Sequence, residues 1–287
     1  MVQVNQRFVR RLGATLVAGG MAAAVLPGTS VADSSAAAPP LKYVALGDSV
    51  AAGIGAGAPD ARSHNCWIDR AAGKRVPNSS RAYPRRLAAE LGAELNFQAY
   101  CGATVSQVRT KQARALSKKT RLVTVQVGAN DFGFADVLIK CAIGDDEPCN
   151  NSLRWIQKQY TDVLPGRLDG LYRKIKDKTS KTKTKVVVVG YPKLVNPENT
   201  LCVTDGLGAS SLPVMNAAAH TLNDVLRIQA AKHGFAFAEA ERPFLGHAIC
   251  DDEEWINGFS NPLVHSFHPN SRGQAALADI VRPHVKP

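Results

Sequence analysis

The sequence predicts an α/β protein built around a parallel β-sheet. Two observations support this class: short apolar, β-branched runs recur along the chain, and helical stretches separate them. No internal repeat is visible. Nearly continuous apolar strands that alternate with helices are typical of a parallel sheet covered on both faces. With 287 residues, of which 45% are hydrophobic, the chain is long enough for one large domain, which we place at residues 41–287.

Each predicted strand is a short apolar run that a turn-forming or polar residue ends. The runs lie at 42–46, 94–99, 122–127, 186–189 and 235–238. Gly47, Gly128 and Gly190 directly follow three of them. Sites in open parallel sheets form beyond the carboxyl ends of the strands, so functional residues are expected immediately after these runs.

Helical stretches occupy the intervals between the strands. They lie at 82–91, at about 151–178, at 213–233 and at 271–282, with Pro283 after the last. In the third, apolar residues recur every three or four positions, which indicates a helix with one buried face. The remaining intervals, near 66–78, 141–150 and 196–212, are expected to be long loops.

The first forty residues are typical of an export signal. Arg7, Arg10 and Arg11 precede an apolar run at 12–26, and small residues follow at 30–32. We expect residues 1–32 to be a signal peptide, residues 33–40 a short linker, and the mature chain to be secreted and extracellular. An anchoring helix is the alternative, but the run is shorter than the roughly 18–20 residues that a membrane span needs.

The cysteine content agrees with export. The chain has six cysteines: Cys66, Cys101, Cys141, Cys149, Cys202 and Cys250. An even number in an exported chain indicates disulfides, although the number alone allows many pairings. The sequence has no C-x-x-C or H-E-x-x-H motif, and its histidines do not join cysteines at zinc-finger spacing, so no metal site is expected.

The formal net charge is +11, and much of the excess lies between residues 173 and 185. This stretch is either a solvated helix end with its loop or a patch that attracts anionic lipid or polymer. Nucleic acid is not an expected partner, because only Tyr172 accompanies the basic run and no recognition motif does. We take a monomer as the default.

Four residues at predicted strand ends or helix starts carry candidate chemistry. Ser49 follows the first strand, Gly102 the second, Asn130 the third, and His268 precedes the closing helix. Each alone is typical of a turn or a helix cap. Together they supply a nucleophile, a general base and donors for an oxyanion, provided that the histidine ring faces the serine.

The four residues, in this order, resemble the SGNH (GDSL-type) hydrolase superfamily, which is named for them. The matches are Gly47-Asp48-Ser49, Gly102, Gly128-x-Asn130-Asp131 and His268-Pro269, and the resemblance covers essentially all of the chain after the signal. The chain looks most similar to secreted actinobacterial esterases, lipases and phospholipases. The resemblance implies a three-layer α/β/α, flavodoxin-like fold with a mostly parallel five-stranded sheet, and a carboxylic-ester hydrolase that needs no cofactor.

The resemblance also implies a role for each matched residue. Ser49 would be the nucleophile and His268 the base, and the N–H groups of Ser49 and Gly102 with the side chain of Asn130 would form the oxyanion hole. Such enzymes commonly carry three disulfides in chain order. Here that order would join Cys66 to Cys101, Cys141 to Cys149, and Cys202 to Cys250.

One position departs from the family pattern. Many members carry an aspartate three residues before the histidine, where this chain has His265. Either a backbone carbonyl, that of Ser266, orients His268, or a distant acid, Asp251 or Asp252, does so. We favour the carbonyl and hence a Ser–His dyad.

The substrate is less determined by sequence. We favour a lipase or esterase, including a phospholipase, because the resemblance is strongest to lipid-cleaving enzymes and the basic excess suits anionic interfaces. An O-acetyl esterase acting on polysaccharide and a secreted binding module are the alternatives. An ordinary α/β-hydrolase is disfavoured, because residues 47–51 lack the second glycine of G-x-S-x-G. Trp67, Ile68 and Trp255 fit an acyl groove and a core position equally well.

Overall fold

The structure is a computed structural model that describes residues 39–61, 65–69, 74–196, 198, 208 and 210–285. The expected signal peptide at 1–32, most of the expected linker at 33–40, and Cys202 lie outside these residues. Within them, no helix combines the length and the apolar character needed to cross a membrane.

The strands are β1 Lys42–Gly47, β2 Asn65–Asp69, β3 Lys74–Pro77, β4 Glu94–Phe97, β5 Leu122–Gln126, β6 Lys185–Val189 and β7 Ala236–Ala238. Five of them form one sheet in the order β4-β1-β5-β6-β7, with every neighbouring pair parallel. All five residues of the central strand β5 are buried, since the sheet is covered on both faces. The edge strand β4 is only partly covered.

The helices are α1 Ser49–Ala52, α2 Tyr83–Glu90, α3 Val105–Thr110, α4 Phe134–Ile143, α5 Asp146–Asp162, α6 Leu164–Lys178, α7 Leu212–Lys232 and α8 Ser271–Val285. They flank the sheet in two groups. Helix α2 packs on α8, whereas α5, α6 and α7 pack on one another, and both α7 and α8 contact β6 and β7. The predicted α/β class and its parallel five-stranded sheet are confirmed.

Two predicted elements were wrong. The single helix expected at 151–178 is two helices that meet at Val163, because Pro165 lacks an N–H group and fits only the first turn of a helix. The loop expected at 141–150 is mostly helical and contains the end of α4 and the start of α5.

Two further segments differ from the prediction: the expected loop near 66–78 and the end of the closing helix. The segment expected as a loop near 66–78 contains an antiparallel hairpin of β2 and β3. The closing helix continues past Pro283 to Val285.

Disulfide bonding follows the expected order where it is described. A disulfide joins Cys141 in α4 to Cys149 in α5. Cys101 and Cys250 are also disulfide-bonded, but the side chain of Cys66 and all of Cys202 lie outside the described residues. The pairings of Cys66 with Cys101 and of Cys202 with Cys250 therefore stay predictions.

Candidate active site

Ser49 lies at the carboxyl end of β1, where the strand turns into α1. The turn needs Gly47, whose φ is +156° and where an added Cβ would come within 2.6 Å of both Ala51 Cβ and the Gln126 carbonyl oxygen. The Gln112 side-chain amide fixes the turn further, since it bonds the N–H and the carbonyl of Gly47 at 2.8 Å each. The serine is thus held in one position at the edge of the sheet.

Asp48, the residue before the serine, is a buried carboxylate that caps the turn. Its Oδ1 accepts the N–H of Val50 at 3.0 Å, and its Oδ2 accepts the hydroxyl of Tyr191 at 2.5 Å. Burial raises the pKa of Asp48 to about 7, and both hydrogen bonds oppose that rise. The carboxyl group therefore titrates near neutral pH, one residue from the candidate nucleophile.

His268 approaches Ser49 from the segment that precedes α8. Its Nε2 lies 2.7 Å from Ser49 Oγ, a hydrogen-bonding distance. The backbone around it is fixed by Asn257, which donates its N–H to the His268 carbonyl and accepts the N–H of Phe267, both at 2.9 Å. The Asn257 side chain also donates to the Gly55 carbonyl at 3.0 Å, which ties this segment to the loop after α1.

The other ring nitrogen of His268 meets a backbone carbonyl. Its Nδ1 lies 2.8 Å from the carbonyl oxygen of Ser266. Of the two alternative acids, Asp252 is exposed. Asp251 is bonded elsewhere: its carboxylate accepts the Asn196 side-chain amide at 2.6 Å and the Ala248 N–H at 2.7 Å. This geometry gives Nδ1 the proton and leaves Nε2 free to accept one from Ser49.

Burial also sets the protonation of the histidine. The pKa of His268 is lowered to about 4, chiefly because burial disfavours the charged ring, and nearby His265 lowers it further. The hydrogen bond to the Ser266 carbonyl opposes this shift. The ring is therefore neutral, the form that a general base requires, at any pH well above 4.

Two backbone N–H groups at the site have no acceptor among the described residues. Within the described part of the chain, neither the N–H of Ser49 nor that of Gly102 donates a hydrogen bond. Gly102 has φ +73°, a left-handed conformation, and the space where a Cβ would stand is open. Both residues line the cavity described below. Their N–H groups are available to an oxyanion.

Asn130 supplies a side-chain amide at the same edge, just after β5. Its Nδ2 donates to the Ala103 carbonyl at 3.2 Å, which leaves a second N–H on the same nitrogen. The next residue, Asp131, fixes the loop: its carboxylate accepts the N–H of Val105 and bonds the guanidinium of Arg167, both at 2.9 Å. The structure thus brings all four sequence-predicted residues to one edge of the sheet.

A cavity of about 240 Å³ opens beside these residues. Its polar side carries Ser49, Gly102, Asn130 and His268, and its remaining walls are largely apolar. The apolar residues include Phe134, Leu138, Ile139, Leu194, Leu263, Val264 and Phe267. The combination of convergent polar groups and apolar walls is typical of a binding site for an apolar substrate.

Sequence reasoning missed most of this wall. Helix α4 provides much of it, through residues that precede the loop expected at 141–150 and for which the sequence pattern predicted no helix. Trp255 does not line the cavity but stacks on His247 with ring centroids 3.6 Å apart, whereas the side chains of Trp67 and Ile68 lie outside the described residues. Tyr191 was also missed, although it follows a strand end at Gly190 as the other site residues do.

The basic stretch, residues 173–185, lies at the amino ends of the parallel strands, opposite the candidate active site. It covers the end of α6 and the loop that leads into the amino end of β6 at Lys185, whereas Ser49 stands at the carboxyl end of the parallel strand β1. Arg173 in this stretch pairs with Asp169. The basic excess therefore does not surround the cavity.

The fold and the site together define an SGNH hydrolase. Residues 45–276 match the GDSL-like Lipase/Acylhydrolase family, and the chain belongs to it. It is a carboxylic-ester hydrolase, as the resemblance implied. Among the described residues, no three His, Cys, Asp or Glu side chains are grouped as a metal site would require.

Relatives of known structure or name support this assignment. A lipase of Streptomyces rimosus is 35% identical over 254 residues, 88% of this chain and 90% of the relative. Lipase 1 of Streptomyces coelicolor is 34% identical over 271 residues, 94% of each chain.

Two crystal structures are similar throughout. The extracellular lipase from Streptomyces rimosus superposes with a TM-score of 0.78 at 32% identity, over 85% of this chain and 100% of that one. Phospholipase A1 from Streptomyces albidoflavus NA297 gives 0.76 at 33% identity, over 86% and 100%.

Proposed function

We propose that this protein is a secreted enzyme that hydrolyses acyl esters of lipids through a Ser49–His268 dyad. The observation that carries the proposal is the continuous chain from the Ser266 carbonyl through both nitrogens of His268 to Ser49 Oγ, with contacts of 2.8 and 2.7 Å. This chain opens into an apolar cavity. Ser–His chemistry needs no metal or organic cofactor.

In the first half-reaction, Ser49 Oγ attacks the ester carbonyl while His268 Nε2 takes its proton. The carbonyl oxygen becomes an oxyanion that the N–H groups of Ser49 and Gly102 and the amide of Asn130 stabilise. The imidazolium that forms is held by the Ser266 carbonyl through Nδ1–H. His268 then protonates the leaving alcohol, and the acyl group stays on Ser49.

In the second half-reaction, His268 removes a proton from water, which attacks the acyl-enzyme. The same three donors receive the second oxyanion, and His268 returns the proton to Ser49 Oγ as the acid leaves. The low pKa of His268 supports this cycle, because the ring starts each half-reaction in its neutral form.

The lining of the cavity supports an apolar acyl group as the bound part of the substrate. Its volume, about 240 Å³, is slightly below the roughly 300–1,000 Å³ of ordinary ligand pockets. It therefore suits one acyl chain rather than a whole lipid molecule. The names of the relatives, lipase and phospholipase A1, point to the same substrate class.

Export is part of the proposal. The basic and apolar pattern of residues 1–32 supports a signal peptide, with residues 33–40 as linker and a mature domain from residue 41. The relative from Streptomyces rimosus is described as extracellular, and a disulfide between Cys141 and Cys149 suits an oxidising compartment. We propose a monomer as the working unit.

The basic stretch enters this proposal only as a source of long-range attraction. The basic stretch lies at the amino ends of the strands, whereas the cavity lies at their carboxyl ends. If the basic stretch contacted an anionic surface directly, the cavity would therefore face away from that surface. Net positive charge still raises the rate at which an anionic lipid surface is encountered.

The test is hydrolysis of p-nitrophenyl esters from acetate to palmitate by the mature chain, with Ser49→Ala as the control. We expect Ser49-dependent activity that peaks at medium or long chains. Activity confined to acetate would favour a carbohydrate or small-ester deacetylase. Absence of Ser49-dependent activity, together with no labelling of Ser49 by a fluorophosphonate, would favour a binding module.

A further inference from the structure

A separate cleft lies next to the candidate active site, and no step of the proposed reaction uses it. It is a cleft of about 590 Å³ between α7 and the segments that follow β6 and β7. The segment after β6 separates the cleft from the active-site cavity, since Tyr191 and Leu194 line that cavity and Lys193 lines the cleft.

The cleft offers apolar surface to a ligand. Phe237, Ala217 and Leu245 line it, and Leu245 is 55% exposed, a large fraction for a leucine. Its volume is within the range of about 300–1,000 Å³ that is typical of small-molecule sites.

The carboxylates around the cleft are already engaged. Asp224 pairs with Arg227 at 2.9 Å, and Glu241 Oε2 lies 3.0 Å from His220 Nδ1. The pKa of His220 is raised, mainly by this contact with Glu241. The Glu239 carboxylate accepts two backbone N–H groups of the following turn, at 2.5 and 3.1 Å. Each of these carboxylates therefore already has a hydrogen-bonding or ion-pair partner within the protein.

Two cations of the cleft are not engaged in this way. Lys193 and Arg242 both line it, and neither side chain forms an ion pair or hydrogen bond with any residue in the described part of the chain. One follows β6 and the other follows β7, so they approach the cleft from different segments. Unpaired cations beside apolar surface suit a ligand that has one anionic head and one apolar tail.

We propose that this cleft binds a fatty-acid anion, with its carboxylate between Lys193 and Arg242 and its chain against Phe237 and Leu245. The choice of a fatty acid over other anionic amphiphiles rests on the proposed function, because ester hydrolysis releases this anion on the other side of the Leu194 wall. The cleft then removes the product from the active-site cavity.

The test is calorimetric titration of sodium decanoate, below its micelle concentration, into the mature protein and two variants. Lys193→Gln/Arg242→Gln removes both cations of the cleft. Lys181→Gln/Lys183→Gln removes the same charge from the distant basic stretch. We expect saturable binding that weakens about tenfold or more in the first variant and changes less than about twofold in the second. Decanol, which lacks the charge, should bind the unaltered protein about tenfold more weakly than decanoate.

A second titration separates the cleft from the active-site cavity. Protein whose Ser49 carries a covalent alkylphosphonate has that cavity filled, and we expect it to bind decanoate with unchanged affinity. The proposal is overturned if no saturable binding occurs, if the cleft variant binds as the unaltered protein does, or if the phosphonate abolishes binding. Failure of Ser49 to react contradicts the proposed function instead, and the two charge variants still decide the cleft.

Discussion

The hydroxyl of Tyr191 lies 2.5 Å from the carboxylate of Asp48, so the residue before Ser49 is bonded to the segment after β6. The same hydroxyl is 3.5 Å from the N–H of Ala129, the residue before Asn130. The backbone of Tyr191 is itself fixed by the Asn223 side chain, through contacts of 2.7 and 2.8 Å. One phenol therefore connects the ends of β1, β5 and β6 beside the reacting groups.

We expect Tyr191→Phe to lower kcat about tenfold with little change in KM. Loss of the hydroxyl loosens the turn of Ser49 and the loop of Asn130 relative to each other, and small misplacements of reacting groups cost rate rather than binding. Steady-state kinetics with p-nitrophenyl butyrate measure both constants.

Tyr172→Phe is the matched control for that experiment. The hydroxyl of Tyr172 is also buried but has no hydrogen-bond partner in the described part of the chain, and its ring packs against Phe235 far from the cavity. It should leave kcat within about twofold of the unaltered enzyme. Equal losses in the two variants would contradict a positioning role for Tyr191.

Neither Asp251→Asn nor Asp252→Asn should lower kcat/KM more than about tenfold. The Ser266 carbonyl already occupies Nδ1 of His268 at 2.8 Å, and the carboxylate of Asp251 is bonded to Asn196 and to the Ala248 N–H. A small loss from Asp251→Asn is expected because that anchor weakens. A loss of about a thousandfold or more would overturn the dyad, since changing the acid of a true triad to Asn costs about ten-thousandfold in kcat.

The sequence predicted the parts of the site that local pattern determines. Ser49 and Asn130 each stand three positions after the end of an apolar run. Parallel strands bring their carboxyl ends together, so these two residues meet. The predicted strand limits also agreed closely with the observed ones, because buried strands are continuous apolar runs and glycines end them.

The parts that depend on contacts between distant segments were not predicted. Tyr191 bonds Asp48 across 143 positions of the chain, a contact that no local pattern indicates. The apolar wall depends on the fold of α4, and the division of α5 from α6 depends on a single proline inside a stretch of otherwise helical composition. Such features need the tertiary structure.

The Cys141–Cys149 disulfide should affect chain-length preference as well as stability. It joins α4 to α5 and closes a loop of eight residues, and a loop of this size stabilises a fold by about 2–3 kcal/mol. Helix α4 carries Phe134 and Leu138 into the cavity. We expect Cys141→Ser/Cys149→Ser to lower activity on decanoate esters more than on acetate esters.

Urea unfolding and the ratio of decanoate to acetate hydrolysis test that expectation separately. A stability loss with an unchanged ratio would show that α4 keeps its place without the bond.

On the acid side of the pH–activity profile, the midpoint should lie well below the ordinary pKa of histidine. Because burial lowers the pKa of His268 from 6.5 to about 4, the ring stays a neutral base through weakly acidic pH. We expect kcat/KM on the acid side to fall by half near pH 4. A midpoint near 6.5 would mean that the ring is solvated in the working enzyme.

Stability should depend on pH through two groups that act in opposite directions. An unfolded His268 takes up a proton below 6.5 and the folded one only near 4, so its contribution to stability is lost as pH falls through that window. Folded Asp48 keeps its proton up to about 7, whereas the unfolded group loses it near 3.8. The contribution of Asp48 is therefore lost as pH rises through its own window.

Tm measured from pH 4 to 7 separates the two groups, because differences from the unaltered enzyme cancel every other titration. Relative to that enzyme, His268→Gln should gain Tm as pH falls from 6.5 to 4, and Asp48→Asn should gain Tm as pH rises from 4 to 7. The part of each Tm difference that does not change with pH reflects the contacts that the substitution removes, and it carries no information about protonation. If either difference is flat across its window, that group does not have the shifted pKa that its burial implies.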